Sequence, residues 1–121
     1  AIFSNQKLDG AQAYLQTFPA DALPDSKAAF AWSVSAVETE KHAVMPNPPN
    51  RFALSSQSKL KRNVDGSLTI AFAPELPPDI DKANWLPTAQ GVRYNLVFRF
   101  YGPTADVVEG NYFPPALTAA Q

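Results

Sequence analysis

The sequence predicts an all-β protein, an antiparallel β-sandwich or barrel with short helical turns, and three observations carry that reading. Apolar residues recur with a period of two in three separate segments. Twelve prolines in 121 residues, about twice ordinary usage, fall in clusters that cut the chain into short blocks. A helical period is nearly absent, which leaves many short strands joined by turn chemistry.

The first strand is "AAFAWSVSAV", where Phe30, Trp32, Val34 and Ala36 share one face. The second is "SLTIAFA", with Leu68, Ile70 and Phe72 alternating with Thr69, Ala71 and Ala73. The third is "YNLVFRFY", in which Tyr94, Leu96, Phe98 and Phe100 oppose Asn95, Val97, Arg99 and Tyr101. The expected core is therefore Phe30, Trp32, Val34, Leu68, Ile70, Phe72, Leu96, Phe98 and Phe100. Weaker strands are expected at residues 13–18 and 59–62. The second of these should form a hairpin with Leu68–Phe72 through a three-residue loop, Val64-Asp65-Gly66, because that loop sets Leu60 opposite Ile70 on the apolar side. One helical turn is expected in "TADVVEG", with Thr104 as N-cap and Gly110 as stop. Prolines within "MPNPPN", "APELPP" and "FPP" forbid central strands there.

Length and charge narrow the function classes. A chain of 121 residues suits one domain, read here as a single sandwich spanning residues 1–121. Ten Lys and Arg against eleven Asp and Glu, with a pI near 5.7, supply no positive field for phosphate backbones, so nucleic acid is not an expected partner. Without cysteine there is no disulfide or thiolate chemistry. No apolar run reaches the eighteen or so residues of a membrane-spanning helix, so no membrane insertion is expected of this segment. The chain begins at Ala1 rather than Met, which points to a C-terminal fragment or a processed form of a longer chain, behind a signal peptide, an anchor or a larger N-terminal region.

Candidate chemistry is sparse. His42 is the only histidine and no nucleophile elbow or glycine-rich loop accompanies it. Glu38 and Glu40 lack recognisable metal-ligand spacing, so no metal, cofactor or catalytic residue is assigned. Lys59, Lys61 and Arg62 read as a solvated edge. Candidate ligand-binding residues are Trp85 and Asn84 in "DKANWLPT", Arg51 in "NPPNRFAL", and Arg99 with Tyr101 in "VFRFY". Guanidinium forks and aromatic faces suit small anionic or carbohydrate-like groups. For Trp85 the reading preferred over a ligand platform is a plug folded over an open end of the sandwich, its indole N–H bonded to a loop carbonyl.

The blocks "LDGAQAYLQTFP", "FAWSVSAVE", "NPPNRFAL", "LKRNVDGSLTIAF", "NWLPT", "FRFYGP" and "EGNYFPPAL" run in an order that resembles a bacterial family, domain of unknown function twelve-fourteen, over about Leu8 to Leu117. The resemblance implies a jelly-roll β-sandwich, commonly the C-terminal half of an exported protein, hence periplasmic or secreted. It implies no reaction. The chain departs from the family pattern where Ala31 separates Phe30 from Trp32, where Pro24-Asp25 replaces paired prolines, and at Val37, where an aromatic is common.

The functional expectation is an exported β-sandwich domain with a structural or assembly role. The alternatives are a binding module for a small anionic or carbohydrate-like ligand, and part of a hydrolase-like enzyme completed by another domain or subunit. The outward positions Ala31, Ser33, Ser35, Val37, Thr69, Ala71, Ala73, Asn95, Val97, Arg99 and Tyr101 hold one charge among them, Arg99. Such a face is normally covered. The expected cover is an identical subunit or an N-terminal partner domain; the alternative is the N-terminal stretch or the loop after Glu38.

Overall fold

The structure, a computed structural model, describes residues 2–39, 53–56 and 58–119. Eight strands among them form the two sheets of a sandwich: β1 (Ile2–Asp9), β2 (Tyr14–Phe18), β3 (Ala28–Glu38), β4 (Ala53–Ser55), β5 (Leu68–Ala73), β6 (Trp85–Pro87), β7 (Arg93–Pro103) and β8 (Thr118–Ala119). One sheet runs β1-β7-β3-β4 and the other β6-β5-β2-β8. Every neighbouring pair is antiparallel except β5 and β6, which run parallel. An all-β sandwich is thus what the alternating pattern folds into. The chain passes repeatedly from one sheet to the other, so each layer is stitched from distant segments.

The long β3/β7 pair sets the core. Trp32 faces Phe100, Val34 faces Phe98 and Ala36 faces Leu96 across the ladder, and all six are buried. From the opposite sheet Phe18, Leu68, Ile70, Phe72 and Leu86 complete the apolar layer. Phe18 meets Phe98 edge-on, with ring centroids 6.1 Å apart, and ties the two sheets together.

Phe30 corrects the expected core: it is 84% exposed. The register shows why. Ala28 pairs with Pro103 and Ala31 with Tyr101, so β3 carries one residue more than β7 across that step. This extra residue is a β-bulge, and it breaks the alternation that would have placed Phe30 beside Trp32. The bulge coincides with the departure from the family pattern at Ala31. The displaced ring lies over Gly102, whose φ is +67° and where a Cβ would come within 2.6 Å of the Phe30 ring.

Residues 59–62 are the second correction, because they form no strand. The turn itself is as expected: Asn63 N–H donates to the Ser67 carbonyl at 2.8 Å, enclosing Val64, Asp65 and Gly66, and Gly66 adopts φ +88°. The Asp65 carboxylate accepts from the Ser67 hydroxyl and backbone N–H, and these bonds hold its pKa below the usual carboxylate value. Beyond the turn the ladder stops at an intervening side chain, described below. The helical turn at the far end is α1 (Ala105–Val108), with Thr104 at its N-cap position and Gly110 at φ +78° beyond it. The Thr104 hydroxyl donates to the Asp106 carboxylate and accepts no capping bond from a helix backbone N–H.

Candidate functional site

Asn84 ends a short 3-10 turn, Lys82–Asn84, and Trp85-Leu86-Pro87 forms the strand β6. β6 pairs with the far end of β5, setting Trp85 beside Ala71, Leu86 beside Phe72 and Pro87 beside Ala73. It runs at the edge of its sheet, where a proline removes no ladder bond that matters. Leu86 points into the core and is fully buried. Trp85 shares the face of Ala71, which is the outer face of the sheet. The indole therefore stands on the outer face of the sheet, whereas the expected plug lay over an open end of the sandwich. Its N–H bonds a carbonyl, that of Ala73 at 2.9 Å, and the same oxygen also accepts from Thr88 N–H.

Asn84 is buried and its carboxamide is fully engaged. It accepts from Lys61 N–H at 2.8 Å and donates to the carbonyls of Lys61 at 2.7 Å and Thr69 at 2.9 Å. Those backbone groups are the ones the expected hairpin would have paired with each other. β6 fills the lane beside the far half of β5, and the Asn84 amide bridges the near half, standing in for a ladder step. This explains why 59–62 lies alongside without becoming a strand.

The expected outward face divides between the two sheets. Ala71 and Ala73 are completely buried although they point away from the core, so the outer side of β5 is covered locally. On β3 and β7 the corresponding positions are open: Ala31, Ser33, Ser35, Val37, Asn95, Val97 and Arg99 are partly exposed and Tyr101 is half exposed. Arg99 lies opposite Ser33 and Tyr101 opposite Ala31, so these two candidates share one patch. Phe30, at the bulge, is exposed next to Gly102, a placement that the period-two pattern conceals. Trp85 and Asn84 stand on the other sheet and do not meet Arg99 or Tyr101. Arg51, Glu40 and His42 lie outside the described residues.

Other polar groups serve the fold. Lys27 and Asp106 pair at 2.6 Å, and the Lys27 ammonium also sits 4.9 Å from the centre of the Tyr112 ring. Hydrogen bonds from Lys27 and then Thr104 hold the Asp106 carboxyl below its usual pKa. Burial pushes the Tyr94 hydroxyl well above its ordinary value and that of Tyr112 up to about 12. Among the described residues no three His, Asp or Glu side chains gather as a metal ion would need. No described helix is long and apolar enough to cross a membrane.

Comparisons with solved structures agree with this architecture. The chain is similar to the VPA0106 protein from Vibrio parahaemolyticus, with 22% identity and a TM-score of 0.78 over 99% of this chain and 31% of that one. It is also similar to an uncharacterised protein from Burkholderia cenocepacia, with 19% identity and a TM-score of 0.61, covering 98% of this chain and 29% of the other. The chain thus spans about a third of the length of these solved chains. No curated protein matches it. A family model matches residues 3–105, and the chain belongs to that family, described as Protein of unknown function (DUF1214).

Proposed function

We propose that this β-sandwich is an assembly domain of an exported protein, and that the outer face of β3 and β7 is its contact surface. One observation carries the reading: this face is partly exposed and lined by small or neutral side chains, with Arg99 its only charge among the described positions from 31 to 37 and from 95 to 101. A solvated antiparallel sheet ordinarily turns charged and polar residues outward. β3 and β7, each eleven residues long at about 3.3 Å per residue and about 4.8 Å apart, give a footprint on the order of 350 Å², and flanking β1 and β4 extend it to about 500 Å². The extended sheet is about two thirds of the roughly 800 Å² each partner buries in a specific complex. Tyr101 and Arg99 are of the residue types that anchor such contacts. The greater length of the matched solved chains supports a second folded domain as the natural cover. The periplasmic or secreted setting rests on the resemblance in motif order.

In the absence of that cover, two copies should pair through the same surface. Sedimentation at micromolar concentration is expected to show self-association that Val97→Glu abolishes while the fold survives. A strict monomer whose β3 and β7 outer side chains are open to solvent would overturn the reading. The binding-module alternative now rests on Arg99 and Tyr101, since Asn84 and Trp85 are committed to backbone groups on the other sheet.

A further inference from the structure

Three loops meet at the end of the sandwich where β5 finishes and β7 begins. The β1–β2 connection supplies Ala11, the β5–β6 connection supplies residues 74–78 and the β6–β7 connection supplies Gln90, and together they bound an open pocket of about 320 Å³. Its base is fixed by close backbone packing. Gly10 N–H donates to the Val92 carbonyl at 2.9 Å, in a fit so tight that a Cβ on Gly10 would collide with the Ala89 carbonyl. The buried Thr88 joins the rest, its hydroxyl donating to the Gly10 carbonyl at 2.8 Å and its N–H to the Ala73 carbonyl at 2.9 Å. No described residue of β3 or β7 lines the pocket, so it is separate from the contact face.

We infer that this pocket binds a small organic cation, an ammonium carried on an apolar body of about one ring. Its volume stands at the lower end of the range for small-molecule sites, which suits one ring and no more. The wall chemistry sets the sign of the charge. Pro74, Pro77 and Pro78 have no N–H, so the main chain along this wall shows more acceptors than donors. Glu75 is the only charged side chain lining the pocket, and among the described residues it has no ion-pair partner. An ammonium, which donates and does not accept, complements both features. Leu76, 42% exposed, and the proline rings offer the apolar surface that its body covers.

Trp85 reports on this pocket, because its indole N–H bonds the carbonyl of Ala73, a lining residue. Trp32 is the control, since it pairs with Phe100, about 20 Å along β7 from Tyr94 at the near end. In a nitrogen-15 spectrum at low salt, benzylammonium is expected to shift the Trp85 indole signal saturably, at millimolar affinity, and to leave Trp32 in place. Benzyl alcohol should bind about fivefold more weakly and phenylacetate not at all. Glu75→Gln, a change at an exposed position, should weaken benzylammonium binding about fivefold, as loss of one solvent-screened charge contact would. Four results would overturn the inference: equal saturation by benzyl alcohol, preference for phenylacetate, an unchanged affinity in Glu75→Gln, or no saturable movement of Trp85 up to about 50 mM benzylammonium, already far into the weak regime.

Discussion

The side-chain amide of Asn84 holds both backbone groups of Lys61, accepting its N–H at 2.8 Å and donating to its carbonyl at 2.7 Å. A side chain that engages another residue in this two-way manner acts as a strand of one residue. It fixes the arm carrying Lys61 and Arg62 against β5 without a ladder. Asn84→Ala should therefore leave these backbone groups unmet and lower stability by about 2 kcal/mol, within the range for unsatisfied buried groups. Asn84→Asp should be no better, because a carboxylate cannot donate to the Lys61 and Thr69 carbonyls. Urea denaturation gives the loss, and amide exchange should quicken first in residues 59–67. A stability unchanged in both variants would remove Asn84 from this role.

The bulge in β3 separates two phenylalanines that share a period but not a fate. Phe98→Ala, in the packed layer, should cost about 3–5 kcal/mol. Phe30→Ala should change stability by less than about 0.5 kcal/mol, as at other exposed positions. Gly102→Ala, at φ +67°, should cost about 1–2 kcal/mol because the left-handed conformation disfavours a Cβ. Thermal denaturation of the three variants checks the order, and a Phe30→Ala variant as damaged as Phe98→Ala would refute it.

How far these features were legible in the sequence follows from how local their causes are. The strands at Phe30–Val37, Leu68–Ala73 and Tyr94–Tyr101 announce themselves because alternation is a property of adjacent residues. The turn at Asp65-Gly66 does so because glycine is needed at that φ. β1 and β6 do not. Ile2–Asp9 has a polar centre and shifts register between Asn5 and Leu8, while Trp85–Pro87 is a strand only because β5 offers it an edge. The bulge at Phe30 adds one residue against a partner some seventy positions away, and no local pattern records that. For the same reason Ala11, Glu75, Leu76 and Gln90 are unremarkable as sequence neighbours. The return of three separate loops to one end of the sandwich is what brings them around one pocket. Arg99 and Tyr101 lie on one strand, so their shared face was legible, and the separation of Trp85 from them was not.

Alkali should open this fold through its buried phenols. Tyr94 and Tyr112 have buried hydroxyls without a hydrogen-bond partner among the described residues, and burial raises both above the ordinary value of 10.0. In the unfolded chain these phenols ionise near pH 10, whereas in the fold they stay protonated beyond it. The unfolded state then binds fewer protons than the native state, so stability present below pH 10 falls as pH rises through the folded values. The absorbance of ionised tyrosine at 295 nm should show two late-titrating groups whose ionisation coincides with loss of the β signal in circular dichroism. Free titration of all four tyrosines in a protein still folded would contradict this account.

Trp85 joins two roles that a pair of substitutions can separate. Its indole N–H meets the Ala73 carbonyl at 2.9 Å, and its ring stands beside Ala71, an outward residue with no exposed surface. Trp85→Phe keeps a ring over this position but removes the donor, while the Ala73 carbonyl retains the bond from Thr88 N–H. That change should cost only about 1 kcal/mol, the net value of one hydrogen bond. Trp85→Ala also strips the cover from Ala71 and should cost about 2–3 kcal/mol, less than a fully buried aromatic because the indole is only partly enclosed. The order of the two losses, read from urea midpoints, distinguishes a residue that covers the sheet from one displayed for a ligand. If Trp85→Ala were as stable as the parent chain, the indole would be dispensable to the fold and its place on the outer face would have to be explained by what it binds.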